Sequence, residues 1–205
     1  MAMKSTFKNM VVCLTVICLV CSVLLGGVYA ITKAPIEKAA AEKLRGAIAE
    51  VLPEFASMSE SLSIEYDGQS YSYYEVSDST GAVLGYAVTS ASTGFGGPVS
   101  LMVGVLPDGV VYNTKVLSHS ETPGLGAKCT EPAFADQFKM LNPAEKKLEV
   151  KKNGGDIDAI TAATITSNAY TKAVALAVKV AGAIAASGEA LPDEPSQNNG
   201  GNSNE

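Results

Sequence analysis

Asp158-Ala159-Ile160-Thr161-Ala162-Ala163-Thr164-Ile165-Thr166-Ser167 is the stretch on which the reading of this chain turns. It sets hydroxyls and small side chains between an acidic turn and a long Ala/Val-rich run. That run, Ser167 to Ala186, predicts a helix with Lys172 and Lys179 on its polar side. Small residues let a bulky ligand approach the backbone. A helix start offers free N–H groups and a positive dipole end, which suit a phosphate. The N–H groups of Thr166, Ser167 and Asn168 are the expected donors. An ordinary Ser/Thr helix cap uses the same residue types, so the stretch alone leaves both readings open.

Upstream of it, Leu148 to Lys152 reads as a short strand and Glu131 to Leu141 as a short helix. Val99 to Leu106 and Val110 to Val116 flank Pro107-Asp108-Gly109, a hairpin signal. Tyr71 to Val76 and Ala82 to Val88 flank Asp78-Ser79-Thr80-Gly81, a turn signal. The middle of the chain is therefore expected to be an antiparallel meander of four or five strands. Strands followed by helices indicate an α+β domain, not a doubly wound one. No Gly-x-Gly-x-x-Gly sits at a strand-to-helix turn, which argues against a bound nicotinamide.

At the other end, Met10 to Ile31 is a run of 22 residues without a charge. A spanning helix needs about 20 residues, and a signal-peptide core has about 7–15. Length favours an anchor through the bilayer at 10–31. Val28-Tyr29-Ala30 nonetheless resembles a signal peptidase site, so cleavage after Ala30 is the alternative. Pro35 to Leu52 reads as an amphipathic connector helix, with Ile36, Ala40, Leu44 and Ile48 on one face, Pro35 at its start and Pro53 at its end. The expected organisation is a short segment 1–9, a transmembrane helix 10–31, a connector 32–53, one domain over 54–187 and a disordered tail 188–205 rich in Pro, Asn, Gly and Ser.

Residues 33–205 carry 13 basic side chains, the chain's 15 less Lys4 and Lys8, against all 21 acidic ones, a net charge of −8. That argues against nucleic acid or an anionic lipid surface as the domain's partner. His119 is the single histidine, so a two-histidine metal site within one chain is excluded. Cys18 and Cys21 form a Cys-x-x-Cys inside the apolar run, and their plain reading is small apolar residues in lipid.

Three segments carry a family resemblance. The order Asp158, two residues, Thr161, small, Ala163, Thr164 resembles the site at which a flavin transferase esterifies FMN onto threonine, with Ala162 standing where Gly is commoner. Glu121-Thr122-Pro123-Gly124-Leu125-Gly126 resembles a signature of the FMN-binding domain in the G subunit of Rnf complexes. Gly94-Phe95-Gly96-Gly97-Pro98 resembles the same family's Gly-rich segment. Three such motifs in the family's order, over roughly residues 82–185 and behind one membrane anchor, are specific together.

The resemblance implies a single transmembrane helix followed by an FMN-binding domain with an antiparallel sheet and packed helices. It implies covalent FMN on Thr164, with Thr161, Ala163, Thr166, Ser167, Glu121, Thr122, Gly124, Leu125, Gly126, Phe95 and Gly96 around the flavin. Thr161, Thr166 and Ser167 are rival acceptors. Phe95 is either a stacking partner for the ring or a core aromatic. Glu121 and His119 are candidates for the ring edge, and Gly124 and Gly126 for close approach or positive φ. Neither a catalytic residue of the chain's own nor a metal site is expected.

The implied role is a redox subunit, inactive alone, of a complex coupling ferredoxin:NAD electron transfer to Na+ or H+ translocation. The domain would lie on the extracytoplasmic side of a prokaryotic cell membrane. Its partners would be the other members of the complex and, during maturation, the flavin transferase. The C-type component of a Na+-pumping quinone reductase, a secreted FMN carrier and a non-redox assembly protein are the competing readings.

Overall fold

The computed structural model describes residues 7–188. Most of the expected tail and residues 1–6 of the N-terminal segment lie outside those residues. The chain divides into two units, Met1–Gly46 and Ala47–Glu205.

Over its described residues the first unit is helical. Helix α1 runs Phe7–Val51, with Pro35 inside it. A separate connector starting at Pro35 was expected, and the structure has one continuous helix instead. An interior proline costs one backbone hydrogen bond and about 3 kcal/mol. The Ala-, Leu- and Glu-containing turns that follow are strong helix formers and carry the helix past it. Asn9–Lys33 has a mean hydropathy of 2.8 over a length sufficient to cross a membrane. The hydroxyls of Thr15, Ser22 and Thr32 each donate to the carbonyl four residues back at 2.8 Å. No polar hydrogen on those side chains then needs water.

The second unit is built on a six-stranded antiparallel sheet. Its strands are β1 (Ser57–Met58), β2 (Leu62–Tyr66), β3 (Gln69–Ser77), β4 (Val83–Thr93), β5 (Pro98–Val105) and β6 (Val111–Ser118). The order is β1-β3-β4-β5-β6, with β2 also pairing β3. The expected turns are in place. Asp78 Oδ1 accepts from the N–H groups of Thr80 and Ala82 at 2.7 and 3.0 Å. Leu106 and Val110 close the hairpin at 2.9 Å over Gly109, which sits at φ +85.

Helix α3 (Thr164–Gly188) covers one face of the sheet. Its buried stripe is Tyr170, Ala173, Val174, Ala177, Val180, Ala181 and Ile184, the 3–4 spacing of a helix face. The stripe meets Val88, Leu101, Val103 and Val105 from β4 and β5. Burying each of the larger side chains contributes roughly 1.5–3 kcal/mol. On the opposite face, Val51 and Leu52 seat against Gly104 and Gly85, where any Cβ would overlap them. Asn113 Nδ2 and Lys115 Nζ hold the same turn through the Glu50 carbonyl (2.8 Å) and carboxylate (2.6 Å).

The sheet has six strands where four or five were expected, because the short β1 and β2 both pair with β3, and two further expectations differ in detail. The helix over 131–141 is a short α2 (Pro132–Ala135) followed by a 3-10 turn, Asp136–Phe138. Met140 at φ +48 ends it, and Leu141 pairs with Val111 instead. Leu148 to Lys152 forms no strand. It gives a single parallel bridge, Val150 to Ile157, and then the 3-10 turn Lys151–Asn153 closed by Gly154 at φ +82. Phe134 meets Phe138 and Tyr170 edge to face at 5.7 and 5.2 Å, and Phe138 lies tilted against Tyr170 at 4.9 Å. Gln137, beside Phe138, ties down the loop that leads into α3 by accepting from the Asp158 N–H at 2.8 Å and donating to its carbonyl at 3.2 Å.

Candidate functional site

At the start of α3 the chain forms a cleft of about 340 Å³, within the range of small-molecule sites. The first turn of the helix, the loop before it, the 121–126 signature and Phe95 line it. Eight of the expected site residues meet there: Thr164, Ala163, Thr166, Glu121, Thr122, Leu125, Gly126 and Phe95. Ile165 and Ala162 join them. Thr161, Ser167, Gly124 and Gly96 do not line the cleft, and each is placed differently.

The cleft has two chemical ends. Phe95, Leu125 and Ile165 are 71%, 45% and 54% exposed. Within the described residues of the domain the other exposed large hydrophobics are Leu62 and Met140. Three of five such side chains thus border one cleft, an apolar patch that marks a binding surface. Phe95 is therefore no core aromatic. The other end is the helix start. Ser167 N–H already donates to Ala163 O at 3.0 Å, which makes Ala163 the N-cap. The N–H groups left without an intrahelical acceptor are those of Thr164, Ile165 and Thr166. The expectation for Ser167 and Asn168 is corrected accordingly: both lie one turn too deep in the helix. An aromatic ring at one end and a phosphate at the other is the shape of FMN, and the residues present fit it.

The four hydroxyls of the motif differ sharply. Thr166 is buried and its Oγ1 donates to Glu121 Oε2 at 2.6 Å. Ser167 is buried, donates to the Ala163 carbonyl at 3.0 Å and accepts from Ile160 N–H at 2.9 Å. Thr161 opens on a neighbouring cleft with Asp158, Gln137 and Lys128. Thr164 is half-buried, lines the main cleft, and accepts from Lys152 Nζ at 3.3 Å.

Glu121 is buried, 6% exposed. Besides the Thr166 bond, its Oε1 accepts from Gly96 N–H at 3.1 Å. A Cβ on Gly94 or Gly126 would overlap the carboxylate. The expected role of Gly126 as a close-approach glycine is thus met by the Glu121 side chain, and Gly96 serves as a backbone donor close against Ser120. Gly124 sits at φ +75 with open space around it, so its need is conformational. His119 Nδ1 accepts from Glu121 N–H at 3.2 Å within the same turn and stays off the cleft. Burial, and then the Glu121 charge, push the neighbouring Cys129 thiol up to about 11.

Asp158 neither lines the main cleft nor caps α3. Its carboxylate pairs with Lys151 Nζ at 2.7 Å and its N–H donates to Gln137 Oε1 at 2.8 Å. Ala162 holds φ +62, the left-handed conformation that glycine adopts without strain. Sequence reasoning missed Lys152 and Ile165. An apolar residue at the second position of a helix that carries an otherwise hydroxyl-rich start was the available signal for Ile165. For Lys152 there was none, because twelve residues and a turn separate it from Thr164.

A family model described as FMN-binding domain matches residues 94–179. The G subunit of the ion-translocating oxidoreductase complex of Methanosarcina acetivorans is 36% identical over 182 residues, covering 87% of this chain and 96% of that protein. The G subunit of the proton-translocating ferredoxin:NAD(+) oxidoreductase complex of Clostridium ljungdahlii is 44% identical over 97 residues, 47% of this chain and 52% of the relative. Among solved structures, the C subunit of the Na+-translocating NADH-quinone reductase of Parabacteroides distasonis overlaps 63% of this chain and 75% of its own, at 22% identity and a TM-score of 0.43.

Proposed function

Because this chain belongs to the G-subunit family of ion-translocating oxidoreductase complexes, we propose that its domain carries FMN as a phosphoester on Thr164. It relays electrons through that group within an Rnf-type complex that couples ferredoxin:NAD electron transfer to Na+ or H+ translocation. The observation that carries this reading is the contrast among hydroxyls. Thr164 opens on the cleft and its proton has no acceptor among the described residues, while those of Thr166 and Ser167 are spent on internal hydrogen bonds.

FMN, when bound, supplies a reversible carrier of one or two electrons. The chain's residues hold it. The N–H groups of Thr164, Ile165 and Thr166, at the positive end of α3, receive phosphate oxygens. Phe95, Leu125 and Ile165 cover the ring, and small Ala162 and Ala163 leave room for it beside the backbone. Glu121 fixes the walls. In this reading the domain is one station of a larger enzyme and is inactive alone.

A covalent ester prevents loss of the group by mass action into a compartment where free FMN is dilute. Its formation from FMN itself would have to expel hydroxide, so the donor is a flavin phosphoanhydride. Thr164 Oγ1 bonds to the flavin-side phosphorus, the P–O–P bond breaks, and the departing phosphate keeps the electron pair. The hydroxyl proton passes to the transferase. Asn9–Lys33 is a retained single-pass anchor, with the domain on the extracytoplasmic side and the other members of the complex as neighbours.

In-gel flavin fluorescence under denaturing conditions tests the acceptor. Chain matured with a transferase should fluoresce, and Thr164→Val should not. Fluorescence retained in Thr164→Val would move the ester to another hydroxyl. N-terminal sequencing of the membrane fraction should find the chain intact before Ile31. A soluble product beginning at Ile31 would replace the anchored protein with a secreted carrier.

A further inference from the structure

The loop between β6 and α3 puts one lysine against the acceptor hydroxyl. We propose that Lys152 is a positioning residue for the flavin phosphate, holding the Thr164 hydroxyl before transfer and neutralising the phosphodiester afterwards. This rests on Thr164 being the acceptor.

Geometry supports it more firmly than one flexible side chain would. Lys151, Lys152 and Asn153 form a single 3-10 turn. The residues on either side of Lys152 are both tied to the elements that carry the acceptor. Lys151 Nζ pairs with Asp158, the first residue of the motif, at 2.7 Å. Asn153 Nδ2 donates to Asn168 Oδ1, on the second turn of α3, at 2.9 Å. The turn is itself locked to the motif's approach. Lys151 N–H donates to Ile157 O at 2.9 Å, and Gly155 packs so closely on Glu149 that no Cβ would fit. Lys152 is thereby set over the helix start, with Nζ 3.3 Å from Thr164 Oγ1.

The charges divide by position. Lys151 is consumed by Asp158, and Lys152 forms no ion pair among the described residues. Its donors therefore face Thr164, the motif hydroxyl that lines the cleft with no acceptor of its own among the described residues. By donating to Oγ1, Lys152 leaves that oxygen's own proton pointing outward, for removal as the oxygen bonds to phosphorus. Once the P–O–P bond of the donor has broken, the phosphodiester keeps one negative charge. Lys152 and the helix N–H groups then share it. Thr161 shares its own cleft with Lys128, but neither Thr161 nor Ser167 accepts a hydrogen bond from a cation among the described residues, so Lys152 also contributes to the choice among hydroxyls.

The test uses the full chain in detergent with a flavin transferase and FAD as the phosphoanhydride. Initial rates of flavin attachment are compared for wild type, Lys152→Gln, Lys152→Arg and, as a control of equal charge change on α3, Lys172→Gln. Lys152→Gln should be slower by up to about fivefold, the scale of a solvent-exposed charge contact. Lys152→Arg should recover most of that rate, and Lys172→Gln should match wild type. High salt should narrow the gap between wild type and Lys152→Gln. In the finished proteins, the 31P resonance of the diester should move in Lys152→Gln and stay in place in Lys172→Gln. With flavin on Thr164, equal rates and an unmoved resonance in Lys152→Gln would overturn the role of Lys152 alone. A wild-type chain that carries flavin elsewhere, or none, would overturn both the acceptor and the lysine.

Discussion

Thr166 Oγ1 donates to Glu121 Oε2 at 2.6 Å, joining the first turn of α3 to a loop 45 residues earlier in the chain. The other carboxylate oxygen holds the 94–97 turn through Gly96 N–H. One buried side chain therefore fixes three walls of the cleft relative to each other. A carboxylate accepts at both oxygens and donates at neither, and it faces one donor on each side. Glycine at 94 and 126 follows from the same group, since a methyl on either would occupy the carboxylate's place.

Glu121→Gln keeps the shape and removes one acceptor. Its amide oxygen can serve Thr166, but its NH2 would then face the Gly96 N–H. The unmodified domain should lose about 1–3 kcal/mol, the cost of a buried donor left unpaired, measurable by urea denaturation. In flavin-loaded protein the midpoint potential should rise, because a negative charge beside the ring no longer opposes reduction. An unchanged potential together with lowered stability would confine Glu121 to a structural role.

Ala162 occupies left-handed space, which costs an L-residue about 1–2 kcal/mol. Glycine removes that strain and returns part of the gain through the greater freedom of its unfolded chain. Ala162→Gly should stabilise the domain by up to about 1 kcal/mol and leave flavin attachment intact. A lower melting temperature would show that the Ala162 methyl packs favourably enough to outweigh its backbone strain.

The meander was legible because its strands alternate and its turns use Asp-Ser-Thr-Gly and Pro-Asp-Gly, whose chemistry is local. The hydroxyl motif was legible as a helix start for the same reason, although α3 begins at Thr164 where Ser167 was expected. Ser167 misled because its hydroxyl looks like a cap and is spent instead on Ile160 N–H and the Ala163 carbonyl. What stayed hidden depends on distant pairing. A glutamate is ordinarily exposed, and the burial of Glu121 follows only from donors 25 and 45 residues away. The 131–141 segment has helix-forming residues, yet its end is set by the Leu141–Val111 bridge and not by propensity.

Tyr170 is fully buried, with its hydroxyl 2.7 Å from Thr114 Oγ1. Burial foremost pushes it up to about 12, and the Cys129 thiol to about 11, from ordinary values of 10.0 and 9.0. Above pH 9 the unfolded chain releases these protons while the folded domain retains them. The unfolded state then binds fewer protons, so stability falls as pH rises. Tyr170 alone should contribute a loss of about 2–3 kcal/mol by pH 12. Tyr170→Phe should start lower at pH 8, having lost the Thr114 bond, and show a shallower decline above pH 10. Parallel stability curves for the two proteins, followed by urea midpoints, would remove Tyr170 as the source of the alkaline loss.

Phe95 lies at the tip of a glycine turn, closed by Gly94 N–H donating to Gly97 O at 2.8 Å, and is 71% exposed. A side chain so exposed contributes little to folding, so Phe95→Ala should change the stability of the unmodified domain by under about 0.5 kcal/mol. In the flavin-loaded domain the same substitution removes a stacking partner. The ring then meets water on that side, and its visible absorption and emission bands should shift and lose vibrational structure. Attachment at Thr164 depends on the opposite end of the cleft and should proceed at the wild-type rate. Unchanged flavin emission in Phe95→Ala would mean that Phe95 faces a protein partner and not the ring.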